Sequence, residues 1–206
     1  PAAVDLDDAV TLPTAWSTAW HATYCVGAAR TGDWVVVHAA ASAVSVAALQ
    51  LARRVGARVV AVASSPAKVA LAADLGADLA LRADEDVVAR VREVTDGRGA
   101  DLVLDHIGAA TWRTSVDCLR PGGRLVTFGN IGGDQVSLSL AEIYHRGLRL
   151  LGAGAYCPAD FTAMIAAYGQ GGLRTLRAAE YPLEDLPEAY RAQESRTAIG
   201  KIVVRP

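Results

Sequence analysis

The sequence predicts an α/β fold, a doubly wound sheet of six parallel strands. Three observations carry this expectation. Short β-branched runs alternate with Ala-rich helical stretches along most of the 206 residues. The runs are apolar throughout and do not alternate in polarity, so both faces of each strand are buried, as in a parallel sheet with helices on both sides. Gly, Pro and Ser punctuate the connections, and no repeat, low-complexity tract or long linker interrupts the series.

Taken in order, an Ala/Trp-rich helix over Leu6–Tyr24 precedes the first strand, Trp34–His38, and helix Val44–Val55 follows. Strand Arg58–Ala63 leads to helix Pro66–Leu75, which Gly76 ends near the C-cap. Strand Leu79–Arg82 is followed by the amphipathic helix Glu85–Thr95, and strand Leu102–His106 by helix Ala110–Leu119, stopped at Pro121-Gly122-Gly123. Strand Arg124–Gly129 and helix Leu138–Arg146 come next, then a last strand, Leu148–Leu151, and helix Ala159–Gln170. From Leu173 the pattern changes: Tyr181-Pro182-Leu183, a helix Leu186–Glu194, and a strand Gly200–Val204 without an obvious partner. An unpaired strand edge invites pairing with something else.

Composition narrows the function. A net charge of −2 and a pI near 6.1, with no basic patch, argue against a nucleic-acid partner. No apolar run reaches membrane-spanning length, and the start, PAAVDLDDAV, does not read as a signal peptide. Cys25, Cys118 and Cys157 are far apart and form no CxxC. They read as reduced thiols in a cytoplasmic protein. His21, His38 and His145 sit on different elements without ligand spacing, so structural roles are expected and no metal is assigned.

An ordered series of motifs then resembles the medium-chain dehydrogenase/reductase superfamily, in its quinone-oxidoreductase and zinc-type alcohol-dehydrogenase-like branch. The series comprises Thr18-Ala19-Trp20-His21, Gly32–His38, Gly56-Ala57-Arg58-Val59-Val60, Lys68 with Leu75-Gly76-Ala77-Asp78, Gly99–Asp105, Leu119–Val126 and Ile199–Val204. The resemblance implies a Rossmann-type nucleotide-binding domain over residues 28–172. It implies that residues 1–27 lead in from an N-terminal GroES-like catalytic domain absent from this sequence, and that residues 173–206 would complete that domain. The initial Pro1 agrees with a piece of a longer chain. The family's zinc ligands lie mostly in the absent domain, so no zinc is expected here. The sixth strand often pairs across a dimer in this family, which makes Leu148–Leu151 the expected homodimer contact.

Rossmann turns use glycines for the tight turn, for backbone approach to the pyrophosphate and for close helix packing. The branch reads HAAAGGVG or HGAxGGVG. Here the turn is His38-Ala39-Ala40-Ala41-Ser42-Ala43-Val44-Ser45, and Ser42, Ala43 and Ser45 replace three family glycines. Ser42 puts a Cβ where backbone and phosphate would touch, and Ala43 would be strained by roughly 1–2 kcal/mol if the turn required positive φ. Serine hydroxyls can donate to phosphate, however, and the helix dipole does not depend on glycine. The expectation is a nucleotide held by Ala41, Ser42, Ala43, Val44 and Ser45, about 10- to 1,000-fold more weakly than by a glycine turn, each tenfold being about 1.4 kcal/mol.

After the second strand, NAD enzymes carry an acid for the ribose 2′-hydroxyl. Here Ser64, Ser65 and Lys68 stand there instead, which suits the 2′-phosphate of NADPH. Ser64-Ser65-Pro66 equally reads as a helix cap. By resemblance His106, Ile107 and Gly108 border the ribose and nicotinamide, while Asp105 either does the same or satisfies backbone donors in a turn. Phe128, Gly129 and Asn130, together with Gly152 and Ala153, resemble nicotinamide-facing loops, and Lys201 resembles a position near the pyrophosphate. No catalytic residue is named, because the cofactor carries hydride chemistry. The implied function is the cofactor-binding portion of an NADPH-dependent reductase of a small-molecule quinone, enone or carbonyl substrate, inactive by itself. The alternative is a degenerate Rossmann module with a non-redox, assembly or partner-binding role.

Overall fold

The computed structural model describes residues 4–195 and 197–206; Pro1–Ala3 of the expected lead-in and Arg196 of the closing segment lie outside the described residues. Six strands, β1 (Trp34–Val37), β2 (Arg58–Ala63), β3 (Leu79–Arg82), β4 (Ala100–Asp105), β5 (Leu119–Thr127) and β6 (Arg149–Gly152), form one sheet. Their order is β3-β2-β1-β4-β5-β6 and every pair is parallel, as the apolar runs predict. Helices α3 (Ala43–Arg54), α4 (Pro66–Asp74), α5 (Val87–Val94), α6 (Trp112–Cys118) and α7 (Leu140–Arg146) make the crossovers, and α8 (Pro158–Gly169) follows β6.

Strand residues alternate faces, so a central strand that is buried throughout needs a core on each side. In β1, Val35 and Val37 enter one core with α3 residues Val46, Leu49 and Leu51. Trp34 and Val36 enter the other with Val87, Val91 and Val116. The first core also takes in the segment before the sheet. The expected single helix divides into α1 (Leu6–Ala9) and α2 (Leu12–Trp20), with Pro13 in the first turn of α2, where its missing N–H costs nothing. Leu12, Trp16, Ala19 and Ala22 are buried, and the Trp16 ring meets Tyr168 of α8 edge-on at 5.0 Å. Beyond α2 the chain widens into a π-helical turn, His21–Val26.

Two sequence expectations are corrected. Pro121-Gly122-Gly123 is not a turn between helix and strand; α6 stops at Cys118 and β5 begins at once, with the register shifting between Ala100 and Leu102 of β4. The terminal strand is not an orphan. It is β8 (Lys201–Arg205), paired in parallel with β7 (Arg177–Pro182) across α9 (Leu186–Glu194). β7 is largely exposed and reads Arg-Ala-Ala-Glu-Tyr-Pro, so it lacks the β-branched run that marks the other strands. Arg177 and Arg205 each lie 2.8 Å from the Asp7 carboxylate of α1, which ties this small unit to the start of the chain.

Truncation of Trp16 to alanine should leave a cavity between α2 and α8 and destabilise the fold by about 3–5 kcal/mol. Urea unfolding followed by circular dichroism measures this; a loss below about 1 kcal/mol would mean that the lead-in helix is not part of the cooperative core.

Candidate nucleotide site

In open α/β sheets, ligands sit beyond the carboxyl ends of the strands where strand order reverses. Here that point lies between β1 and β4, and a cleft of about 560 Å³ opens there. Its walls are His38, Ala39, Ala41 and Ser42 after β1, Val62, Ala63, Ser64 and Lys68 around the end of β2, and Ala83 after β3. Ile107 and Thr111 after β4, with Ile131 and Ala198, complete it. Among the described residues no carboxylate is part of this lining.

Helix α3 begins without glycine because its N-terminus needs none. Ser42 is the N-cap, with φ −71° and ψ 151°, and its hydroxyl oxygen accepts the Ser45 N–H at 3.2 Å. Ala43 is the first helical residue, so the strain expected there is absent. The left-handed residue is Ala39, at φ 47°. Its conformation is fixed by the Ala40 N–H on the Val62 carbonyl and the Ser42 N–H on its own carbonyl, at 2.9 and 2.8 Å. Ser45 is fully buried and donates to the His38 carbonyl at 2.7 Å, so it locks helix to strand. The N–H groups of Ala43 and Val44 have no backbone acceptor among the described residues and form the open first turn of α3.

At the tip of β4 the buried Asp105 carboxylate accepts from Ile107 N–H at 2.7 Å, Gly108 N–H at 3.2 Å, Thr111 Oγ1 at 2.7 Å and Ser115 Oγ at 2.6 Å. Because Ser115 gives its proton to Asp105, its oxygen accepts from His38 Nε2–H, 3.0 Å away. Burial opposes ionisation of Asp105, but the His38 ring and the Ser115, Thr111 and Ile107 donors outweigh it and hold the carboxyl below its usual range. Burial pushes His38 down, so it is neutral at pH 7. Of the two readings open for Asp105, the geometry supports the satisfaction of turn donors.

His106 is buried, stacked on Phe128 at 5.3 Å, with Nε2 3.3 Å from Ser42 Oγ. Burial lowers its pKa. Its Nδ1 is buried without a partner among the described residues. Gly108, at φ 87°, lets this loop pack on Gly133, whose carbonyl would stand 2.3 Å from an added Cβ.

The cleft thus gathers Ala41, Ser42, Ser64, Lys68 and Ile107 from the sequence expectations. Ala43, Val44, His106, Gly108 and Phe128 stand beside it through the contacts above. Ser65 is the N-cap of α4, and Gly129 packs against the His106 backbone. Asn130 is exposed, and its carbonyl accepts the Gly133 N–H. Gly152 ends β6, and the Ala153 carbonyl is held by His21. Lys201 opens β8 and does not line the cleft, whereas Ala198 does. Sequence reasoning missed Ala83, Thr111, Ile131 and Ala198 as lining and Ser115 as a relay; none belongs to a motif. The open helix turn and the Ser64/Lys68 wall fit a dinucleotide with its phosphates at α3. The single His/Cys/carboxylate trio among the described residues, His21, Cys25 and Asp160, is not part of the cleft lining.

Residues 43–169 match the family model described as zinc-binding dehydrogenase. A quinone oxidoreductase of Pseudomonas aeruginosa is 32% identical over 187 residues, covering 86% of this chain and 58% of that protein. An NAD-dependent alcohol dehydrogenase structure superposes with a TM-score of 0.93 at 34% identity, covering 100% of this chain and 60% of that one. A mycobacterial structure in complex with NADPH superposes with a TM-score of 0.87 at 26% identity, covering 100% and 66%. The chain therefore spans little more than half of the length of that quinone oxidoreductase, 58%.

Replacing Asp105 by asparagine should cost about 2–3 kcal/mol at pH 7, since an amide cannot accept from Thr111 and Ser115 as a carboxylate does. The depressed folded pKa makes the wild-type contribution complete above about pH 4 and lost as pH falls through the folded value. Urea titrations across pH 2–7 should show a shallower acid decline in the variant; parallel declines would disprove this role.

Proposed function

Because the chain belongs to the zinc-binding dehydrogenase family, within the medium-chain dehydrogenase/reductase superfamily, we propose that it is the cofactor-holding part of an NADPH-dependent reductase of a quinone, enone or related carbonyl compound. The observation that carries the choice of NADPH is the wall past β2, where Ser64 and Lys68 line the cleft and no described carboxylate does. A 2′-phosphate would meet a cation and a hydroxyl there, and a bare 2′-hydroxyl would lack the acid that usually accepts from it. The bound nicotinamide supplies the hydride. This chain's residues bind and orient: the α3 N-terminus draws the pyrophosphate, and the His106 ring, stacked on Phe128 and held at Ser42 Oγ, backs the nicotinamide end. Among the described residues the cleft lining brings no set of metal ligands together.

The Ser42 side chain occupies part of the phosphate seat, so binding is weaker than a glycine turn would give. β6 is an edge strand with Leu140 and Tyr144 of the preceding helix exposed, and we propose that its edge pairs with a second copy.

Calorimetric titration should give micromolar NADPH binding and clearly weaker NADH binding. Lys68→Ala should weaken NADPH by about tenfold, roughly 1.4 kcal/mol, and leave NADH unchanged. NADH binding as tight as NADPH would reject the assignment, and silence for both in a folded protein would favour a degenerate module. Ser42→Gly should tighten NADPH by about tenfold, at a cost of a few tenths of a kcal/mol in cap energy. Sedimentation equilibrium should give twice the 21.5 kDa chain mass; a monomer at tens of micromolar would rule out the β6 contact.

A further inference from the structure

The turn His21–Val26 is π-helical, and such turns are rare and often mark functional positions. It sets His21 and Cys25, four residues apart, facing Asp160 in the first turn of α8. His21 Nδ1 is 2.8 Å from Asp160 Oδ2, and Cys25 Sγ is 3.1 Å from Asp160 Oδ1. The three donor atoms all lie within 4.8 Å of one another.

The protons define what this cluster lacks. His21 Nε2 is 2.8 Å from the Ala153 carbonyl, which can only accept, so Nε2 carries hydrogen. In a neutral ring Nδ1 is then a lone pair, and it faces a carboxylate oxygen, another lone pair, at contact distance. A cation must stand between them, either a proton or a metal ion. The Asp160 carboxylate also accepts the Cys157 N–H at 2.9 Å and the Cys25 thiol at 3.1 Å. A ring whose second N–H is fixed by a backbone carbonyl is the usual arrangement of a metal-ligating histidine. We propose that His21 Nδ1, Cys25 Sγ and Asp160 form a site for a borderline-soft divalent cation of the Zn²⁺ type, clamping the lead-in segment to the β6–α8 loop. Nitrogen, thiolate and carboxylate together suit that class of ion. Cys157, whose N–H and thiol lie against the same carboxylate, is a further donor beside it. Binding displaces the proton between His21 and Asp160 and the proton of the Cys25 thiol. Two protons leave as two positive charges arrive, and the cluster stays neutral overall.

The test uses the metal alone on chelator-treated, desalted wild-type protein. Zn²⁺ calorimetry in two buffers of different ionisation enthalpy should give one ion per chain at micromolar strength or tighter, with about two protons released near neutral pH. Co²⁺ should produce a thiolate-to-metal charge-transfer band. Cys25 is exposed, so Cys25→Ser should fold as the wild type does, lose that band and weaken Zn²⁺ by about 100-fold. As a check free of mutation, Zn²⁺ should protect Cys25 of the wild type from alkylation, read by peptide mass. Absence of stoichiometric binding overturns the proposal. So does a cobalt band that survives in Cys25→Ser, or an unchanged Cys25 alkylation rate.

Discussion

A single buried carboxylate fixes the ligand-facing end of this sheet. Asp105 could not remain charged inside the protein without donors, and four groups from three consecutive stretches supply them. Through Ser115 the same carboxylate orients His38, and the His38 carbonyl anchors Ser45 of α3. The tips of the two central strands and the first turn of the helix between β1 and β2 are thereby one hydrogen-bonded object. The cleft inherits its shape from that object, because its walls before α3 and after β4 cannot shift independently.

The opposite end of the sheet uses carboxylates differently. Asp33 pairs with Arg124 at 2.5 Å, and Asp101 accepts both the Trp34 N–H at 2.8 Å and the Arg120 guanidinium at 2.5 Å. Each of these acids meets an arginine, 91 residues along the chain for Asp33 and 19 for Asp101. The carboxyl end instead leaves polar groups open, the Ala43 and Val44 N–H groups of the first turn of α3. One end of the sheet is closed by charge pairing, and the other is held rigid while still offering donors.

The parallel sheet was legible because strands buried on both faces must be apolar without alternation, as Trp34-Val35-Val36-Val37 and Ala100–Asp105 nearly are. The cleft was legible where nucleotide chemistry dictates residue types, at Ser42, Ser64 and Lys68. It was not legible at Ala83, Ile131 or Ala198, which arrive through topology and carry no chemical signature. β7 escaped because an exposed strand has no burial pattern to betray it. The positive φ that would have strained Ala43 falls at Ala39, since the left-handed turn precedes the cap and the helix has begun by residue 43. His21 and Cys25 escaped because a spacing of four has meaning only on a helix, and their third partner lies far along the chain at Asp160.

The glycine-free turn has a consequence for the unfolded chain. Ser42 is extended at φ −71°, and Ala43 and Ser45 are helical, so none needs the freedom that glycine would provide. A side chain at such a position restricts the denatured ensemble and favours the folded state by about 0.4–1 kcal/mol per residue. Only Ala39 opposes this, with its left-handed backbone. Three such positions make the turn a local brake on unfolding. The loop that would cradle a phosphate is therefore already ordered before any ligand arrives, and a ligand that does fit has little disorder left to remove.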